Sequence, residues 1–154
     1  RILTLRTPKG EHPGRVPVLL RLSREVEAFA LLVAKETRRY ARGLRLTGRF
    51  EPMLACYEPG ARYLPHTDSD GSDGRVLTAI YYLNPGWQEQ HGGALRLHGA
   101  SGSSIDLLPE EDRLVLFRAD HVLHEVRPAS QQRFALSIWF LGSEVDEQQP
   151  SDEG

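Results

Sequence analysis

The chain is short of sulfur and of long apolar stretches. Cys56 is the one cysteine among 154 residues. No disulfide can therefore form within the chain, and a reducing compartment, cytoplasmic or nuclear, is expected over a secretory one. No segment reaches the roughly 18 consecutive apolar residues of a spanning helix, and no charged-then-apolar leader opens the sequence. No role at a membrane is expected. Charge of either sign is also scarce in the balance: the net value of −2 argues against a dedicated nucleic-acid binder. The average conceals a gradient. Residues 1–49 hold twelve Lys/Arg against four Asp/Glu, whereas from Leu141 onward there are five acidic residues and no basic one. A solvated helix face with a loop is the ordinary reading of the basic end, and a docking surface for an acidic partner is the sharper one. The closing stretch GSEVDEQQPSDEG has no aromatic residue and one apolar residue, too little to bury, so disorder is expected there.

What is present suits a single domain with a real core: 40% of the residues are hydrophobic. The chain opens at Arg1 without methionine, and the expectation is a domain excised from a longer protein, with residues 1–142 as its body and 143–154 as an acidic tail. Between Ser23 and Gly43, residues Val26, Phe29, Ala30 and Val33 recur at helical spacing and Tyr40 follows two turns on; Ser23 is the candidate cap and Gly43 the candidate stop. Beyond the helix the pattern changes to short alternating segments between turn residues, about 50–57, 62–68, 75–84, 94–98, 104–108, 113–118, 122–127 and 132–140. Eight such strands predict a β-sandwich or barrel. The Gly-, Pro- and charge-rich RTPKGEHPGR reads as a loop.

The stretch YLPHTDSDGSDGR, residues 63–75, is dense in aspartate and glycine. A calcium-binding EF-hand loop fails on spacing. With Asp68 as first ligand the required glycine falls on Asp73 and the closing carboxylate on Ala79; starting from Asp70 puts Arg75 where glycine must turn. Ser69 to Gly74 reads instead as a solvated turn. His66 and Asp68 precede the glycines at the end of an extended segment, where residues two apart share a face. A third ligand would make that pair a metal site. His91 and His98 sit beside turn glycines, where exposure is the ordinary expectation. His121 and His124 in RADHVLHEV follow a strand that can return beside the first pair, and alternation does not choose between them. In RFALSIWF, alternation places Arg133, Ala135, Ser137 and Trp139 on one face and Phe134, Leu136, Ile138 and Phe140 on the other.

A His-x-Asp pair with one distant histidine is the donor set that holds Fe(II) on one side and leaves its remaining positions open. A 2-oxo acid such as 2-oxoglutarate chelates at two of those positions and leaves one for dioxygen. Its far carboxylate then needs a fixed cation, and arginine suits it because the planar guanidinium meets both oxygens. Arg133 is placed to supply that cation.

The segments MLACYEPGARYLPHTDSDGSDGRVLTAIYYLNPGW, GGALRLH, DRLVLFRADHVLHEVRPA and QRFALSIWF together resemble the prolyl 4-hydroxylases of the oxygen-sensing, hypoxia-inducible factor type. The resemblance runs over about residues 49–140. It implies a mainly β protein with a flanking helix and a double-stranded β-helix, or jelly-roll, core. It also implies peptidyl-proline 4-hydroxylation with Fe(II), 2-oxoglutarate and O2, with ascorbate keeping the iron reduced. Carried over residue by residue, it makes His66, Asp68 and His124 the iron ligands and leaves His121 a bystander. Arg133 becomes the 2-oxoglutarate clamp, with Tyr82 helping at the same carboxylate, Tyr57 and Leu95 lining the pocket, and Ser137 standing where the family often has threonine. Trp139 would wall the pocket and, with Arg75, meet the peptide. The substrate class it implies is a protein carrying the target proline: a transcription factor, a ubiquitin-ligase adaptor or an elongation factor. RTPKGEHPGR would be the loop that covers the substrate. Two other readings use the same residues or fold. A nucleic-acid demethylase of the AlkB kind would carry a second arginine shortly after the clamp, and none follows Arg133 here. An inert jelly-roll binding module would have no use for the intact set His66, Asp68, His124 and Arg133.

Overall fold

A computed structural model of the chain describes residues 2–4, 17–37 and 43–145. Among these lie one α-helix and ten strands. The helix is α1 (Pro17–Thr37). The strands are β1 (Ile2–Thr4), β2 (Gly43–Arg49), β3 (Met53–Tyr57), β4 (Tyr63–His66), β5 (Arg75–Tyr82), β6 (Leu95–His98), β7 (Ser104–Leu107), β8 (Leu114–Arg118), β9 (His124–Val126) and β10 (Arg133–Val145). The major sheet runs β1-β3-β10-β5-β8, with β2 also on β10; the minor sheet runs β4-β9-β6-β7. Every pairing is antiparallel. Two antiparallel sheets with a helix on one outer face are the jelly-roll architecture expected from the sequence.

The central strand β5 explains the layering. Its residues are buried almost without break, because both of its faces are covered. Leu77, Ala79 and Tyr81 meet α1 together with Leu114, Leu116, Ile138 and Phe140, while Ile80 and Tyr82 join Leu95, Val115, Phe117, Val126 and Ala135 between the sheets. Neighbouring residues of β5, β8 and β10 thus feed two different cores, as period-two alternation requires.

The helix departs from the sequence expectation at both ends. Pro17 occupies its first turn, where the missing N–H costs nothing. Ser23 lies one and a half turns inside, buried, with Oγ donating to the Leu20 carbonyl at 2.8 Å, so it is no cap. Gly43 opens β2 and does not close the helix. The buried stripe is Val26, Ala30 and Ala34, and Phe29 is 50% exposed; small residues let the helix lie close on the sheet, and the larger aromatic one is turned outward. Tyr40 and the RTPKGEHPGR segment fall outside the described residues.

β10 is the longest strand, with 13 residues, and continues through Val145 into the stretch expected to be disordered. Its far half pairs with β2, from Phe140↔Arg49 to Val145↔Gly43, with a register shift between Leu141 and Gly142. At that shift a Cβ on Gly142 would stand 2.2 Å from the Arg45 carbonyl oxygen, so only glycine lets the strands close. Strand β2 escaped the sequence reading because GLRLTGR alternates weakly and contains two glycines. The tail from residue 146 lies outside the described residues.

Candidate active site

Strands β4 and β9 pair so that His66 stands directly opposite His124, with ring centroids 4.3 Å apart. Asp68 joins them from beyond the end of β4. The expected extended segment 62–68 stops at His66, so strand alternation does not bring Asp68 to the pair. Three contacts do: the Thr78 hydroxyl donates to its Oδ2 at 2.6 Å, the Arg75 Nη1 donates to its carbonyl oxygen at 2.9 Å, and the next residue's N–H donates to Ala119 at 3.1 Å. The following turn holds itself. Ser69 donates to Asp73, Ser72 donates to Asp70 through both its N–H and its hydroxyl, and Asp73 also accepts from the Arg75 N–H. Hydrogen bonds from Ser72 and Ser69 keep the Asp70 and Asp73 carboxyls below their ordinary range. Those two aspartates serve the turn, while Asp68 faces the histidines.

One ligand atom from each of His66, Asp68 and His124 falls within 4.8 Å of the others, the one such cluster among the described residues. The His66 Nε2 is 3.4 Å from Asp68 Oδ1, and the His124 Nε2 is 3.8 Å from Asp68 Oδ2. Each ring is oriented from behind: the Nδ1 of His66 lies 2.9 Å from the Leu64 carbonyl and that of His124 lies 3.0 Å from the Val122 carbonyl. Donating Nδ1–H to a carbonyl leaves the Nε2 lone pair aimed at the third residue, as a metal ligand requires. Burial pushes the His124 pKa down and keeps the ring neutral. His121 is elsewhere, 63% exposed in its side chain and 2.8 Å from Asp120. His91 caps the Gln88 N–H, and His98 stands 3.4 Å from Glu125.

These three side chains line a cavity of about 380 Å³ between the sheets. Arg133, the largest fully buried side chain among the described residues and 1% exposed, lines the same cavity. Its Nε donates to the Gly93 carbonyl at 2.9 Å and its Nη2 to the Tyr82 hydroxyl at 3.3 Å. The rings of Tyr57 and Tyr82 lie 5.1 and 4.9 Å from its Cζ. Burial pushes both tyrosine pKa values up while the guanidinium pulls them down, the first effect prevailing. Both phenols stay protonated at neutral pH. No carboxylate pairs with Arg133 among the described residues.

Of the residues singled out from sequence, His66, Asp68, His124, Arg133, Tyr57, Leu95, Ser137, Arg75 and Trp139 all line this cavity. Tyr82 does not: it is fully buried, and its hydroxyl accepts from the Arg133 Nη2. Arg75 and Trp139 sit together at the rim, with the Arg75 Cζ 5.6 Å from the Trp139 ring and 5.1 Å from Phe50. Thr78 escaped the sequence reading, although β5 alternation places it on the face of Ile80 and Tyr82. Gly93, whose carbonyl accepts from the Arg133 Nε, had no sequence signal beyond its glycine pair.

Two imidazoles and a carboxylate with open space on one side match the donor set of non-haem Fe(II). A buried cation in the same cavity, with no carboxylate partner among the described residues, fits the second carboxylate of a dicarboxylic 2-oxo acid. Comparison with known proteins agrees with this architecture: residues 52–141 match the model of the 2OG-Fe(II) oxygenase superfamily, and the chain belongs to that family. It is 44% identical over 98 residues to the hypoxia-inducible factor prolyl hydroxylase of Caenorhabditis elegans, covering 61% of this chain and 14% of that protein. It is 41% identical over 100 residues to human prolyl hydroxylase EGLN3, covering 62% of this chain and 42% of that protein. The chain thus spans less than half the length of these relatives. Among solved structures, a Trichoplax adhaerens prolyl hydroxylase in complex with a hypoxia-inducible factor oxygen degradation domain peptide superposes with a TM-score of 0.71 at 36% identity, over 80% of this chain and 56% of that one. A Pseudomonas putida prolyl-4-hydroxylase gives 0.70 at 33%, over 91% and 70%.

Proposed function

We propose that this chain hydroxylates a prolyl residue of a protein substrate, using Fe(II), 2-oxoglutarate and O2. The observation that carries the reading is a fully buried arginine with no acidic partner among the described residues, sharing one cavity with two histidines and a carboxylate. His66, Asp68 and His124 would hold the iron, and Arg133 the far carboxylate of 2-oxoglutarate. Bound iron supplies the oxygen activation that couples decarboxylation of 2-oxoglutarate to hydroxylation of the substrate.

The chain's own residues do the positioning. Thr78 fixes the Asp68 carboxylate, Arg75 fixes the Asp68 backbone carbonyl, and the two backbone carbonyls of Leu64 and Val122 fix the imidazoles, so the donor set is preorganised before any ligand enters. Met53, Ile80, Leu95 and Val126 add apolar wall to the same cavity. The protonated Tyr57 has an O–H to offer a carboxylate, and the Ser137 hydroxyl faces the same space. Arg75 and Trp139, which line the same cavity, would receive the peptide. The prolyl hydroxylase relatives support proline as the target, with a transcription factor, ubiquitin-ligase adaptor or elongation factor as the class of protein carrying it. Ascorbate as reductant and a cytoplasmic or nuclear setting belong to the same proposal.

The test is decarboxylation of 2-oxoglutarate by the purified domain, coupled to mass spectrometry of proline-containing peptides. Turnover should require Fe(II) and stop on chelation. Turnover that survives complete iron removal, or that proceeds with zinc alone, contradicts the reading.

A further inference from the structure

We infer that the loop from Asn84 to Gly93 is the device that holds the Arg133 fork, so that Asn84, Trp87 and Gly93 are positioning residues for a 2-oxo acid bearing a second carboxylate. This rests on Arg133 being the cosubstrate clamp. A guanidinium has five N–H donors in a fixed plane. Gly93 and Tyr82 accept two of them from the buried side, which turns the rest of the fork toward the cavity.

The two ends of the loop converge on this one residue. At the far end, Gly93 presents its carbonyl to Nε, and no other residue type fits: its φ is +71°, and a Cβ there would stand 2.9 Å from the Ala129 Cβ, 3.0 Å from the Trp87 ring and 3.3 Å from the Arg133 Cδ. Gly92, also at positive φ, accepts a 3.0 Å hydrogen bond from the Trp87 indole N–H. The indole thus both walls Gly93 and fixes the peptide before it. The Gly93 N–H donates to the Pro128 carbonyl at 2.9 Å and the Ser130 N–H to the His91 carbonyl at 2.8 Å, tying the turn to the segment that leads into β10. At the near end, Asn84 is buried and acts on the clamp's neighbour: its Oδ1 accepts from the Phe134 N–H at 2.6 Å, and its Nδ2 donates to the Phe134 carbonyl at 2.9 Å and to the Pro109 carbonyl at 2.8 Å. One end sets the Arg133 guanidinium, and the other sets the backbone from which it grows.

A residue that only supports the fold would weaken every ligand alike, whereas one that aims the fork acts on the far carboxylate alone. Anaerobic Fe(II) proteins would therefore be titrated with 2-oxoglutarate and with 2-oxobutanoate, which has the same chelating head and no second carboxylate, following the metal-to-ligand absorption band. Trp87→Phe keeps the ring and loses the N–H. It should weaken 2-oxoglutarate about three- to tenfold, the worth of one neutral hydrogen bond, and leave 2-oxobutanoate unchanged. Gly93→Ala should lower the preference for 2-oxoglutarate further; if it does not fold, Trp87→Phe decides. Wild-type preference in the folded variants, or equal weakening of both acids, overturns the inference. Arg133→Ala separates the two failures: if it retains the wild-type preference, the clamp reading itself falls, and if it loses that preference while the loop variants keep it, only the loop's role does.

Discussion

Arg96, on the outer face of the minor sheet, lays its guanidinium on both oxygens of Asp106, at 2.7 Å each, within reach of water. Arg133, facing the interior of the same jelly roll, is 1% exposed and has no carboxylate beside it among the described residues. The two histidines at the start of β9, His121 before it and His124 as its first residue, differ in the same way. His121 sits in solvent beside Asp120, while His124 is buried with its Nε2 turned into a cavity. On the surface a charged or basic group is matched within the chain and does little more than decorate it. An unmatched buried cation costs several kcal/mol, and a fold that retains one keeps it for an anion that arrives from outside. Unsatisfied groups gathered at one cavity therefore point to function more directly than matched groups do.

The widest gap between inside and outside should appear at the histidines. His124→Ala removes one of three ligands and should abolish binding of Fe(II), or of Co(II) as a spectroscopic substitute, in a metal titration. His121→Ala should bind as the native chain does. The reverse pattern would reassign the third ligand and shift the β9 register by which the site was built.

Next in size is Arg133. Arg133→Ala leaves the far carboxylate of 2-oxoglutarate desolvated without a partner, which should cost about 2–5 kcal/mol, or roughly 30- to several thousand-fold in affinity. Arg133→Lys restores the charge without the fork and should fall between. Metal binding should persist in both. Equal 2-oxoglutarate affinities across the three proteins would reduce Arg133 to a structural arginine and remove the main distinction from Arg96.

How much of this was legible in the sequence depends on whether local pattern or tertiary contact places each group. The alternation of RFALSIWF put Arg133, Ser137 and Trp139 on the cavity side, because β10 is regular where it passes the site. The strands that carry the site were found to within a few residues, since turn glycines and aspartates bracket them. Three features were hidden. Asp68 reaches the histidines through a turn fixed by Thr78, Arg75 and Ala119, contacts distant in sequence that strand periodicity does not encode. The helix start lies at Pro17, because a buried serine that returns its hydroxyl to its own helix looks in sequence like a cap. The extension of β10 to Val145 depends on β2, whose pairing is made possible by the close approach at Gly142 and by nothing in the acidic tail itself. Strand alternation could not separate His124 from His121; the family resemblance did, and the pairing of β9 with β4, a tertiary fact, stands His124 opposite His66.

The smallest effect should come from Arg96. Arg96 holds Asp106 by hydrogen bonding, which keeps that carboxyl below its ordinary 3.8. A carboxyl lowered in the folded state adds stability above its unfolded pKa and loses it as pH falls through the folded one. The Asp106 side chain is 43% exposed, so water and salt screen the pair and the contribution is slight. Arg96→Ala should therefore lower thermal stability barely measurably at neutral pH, with the difference from the native chain closing once the pH drops well below 3.8, and should leave metal and 2-oxoglutarate binding unchanged. Thermal melts across pH, paired with the same anaerobic titration, test both halves. If Arg96→Ala weakened 2-oxoglutarate as Arg133→Ala does, pairing on the surface would be no guide to which arginine serves the site, and the contrast between the two faces would fail.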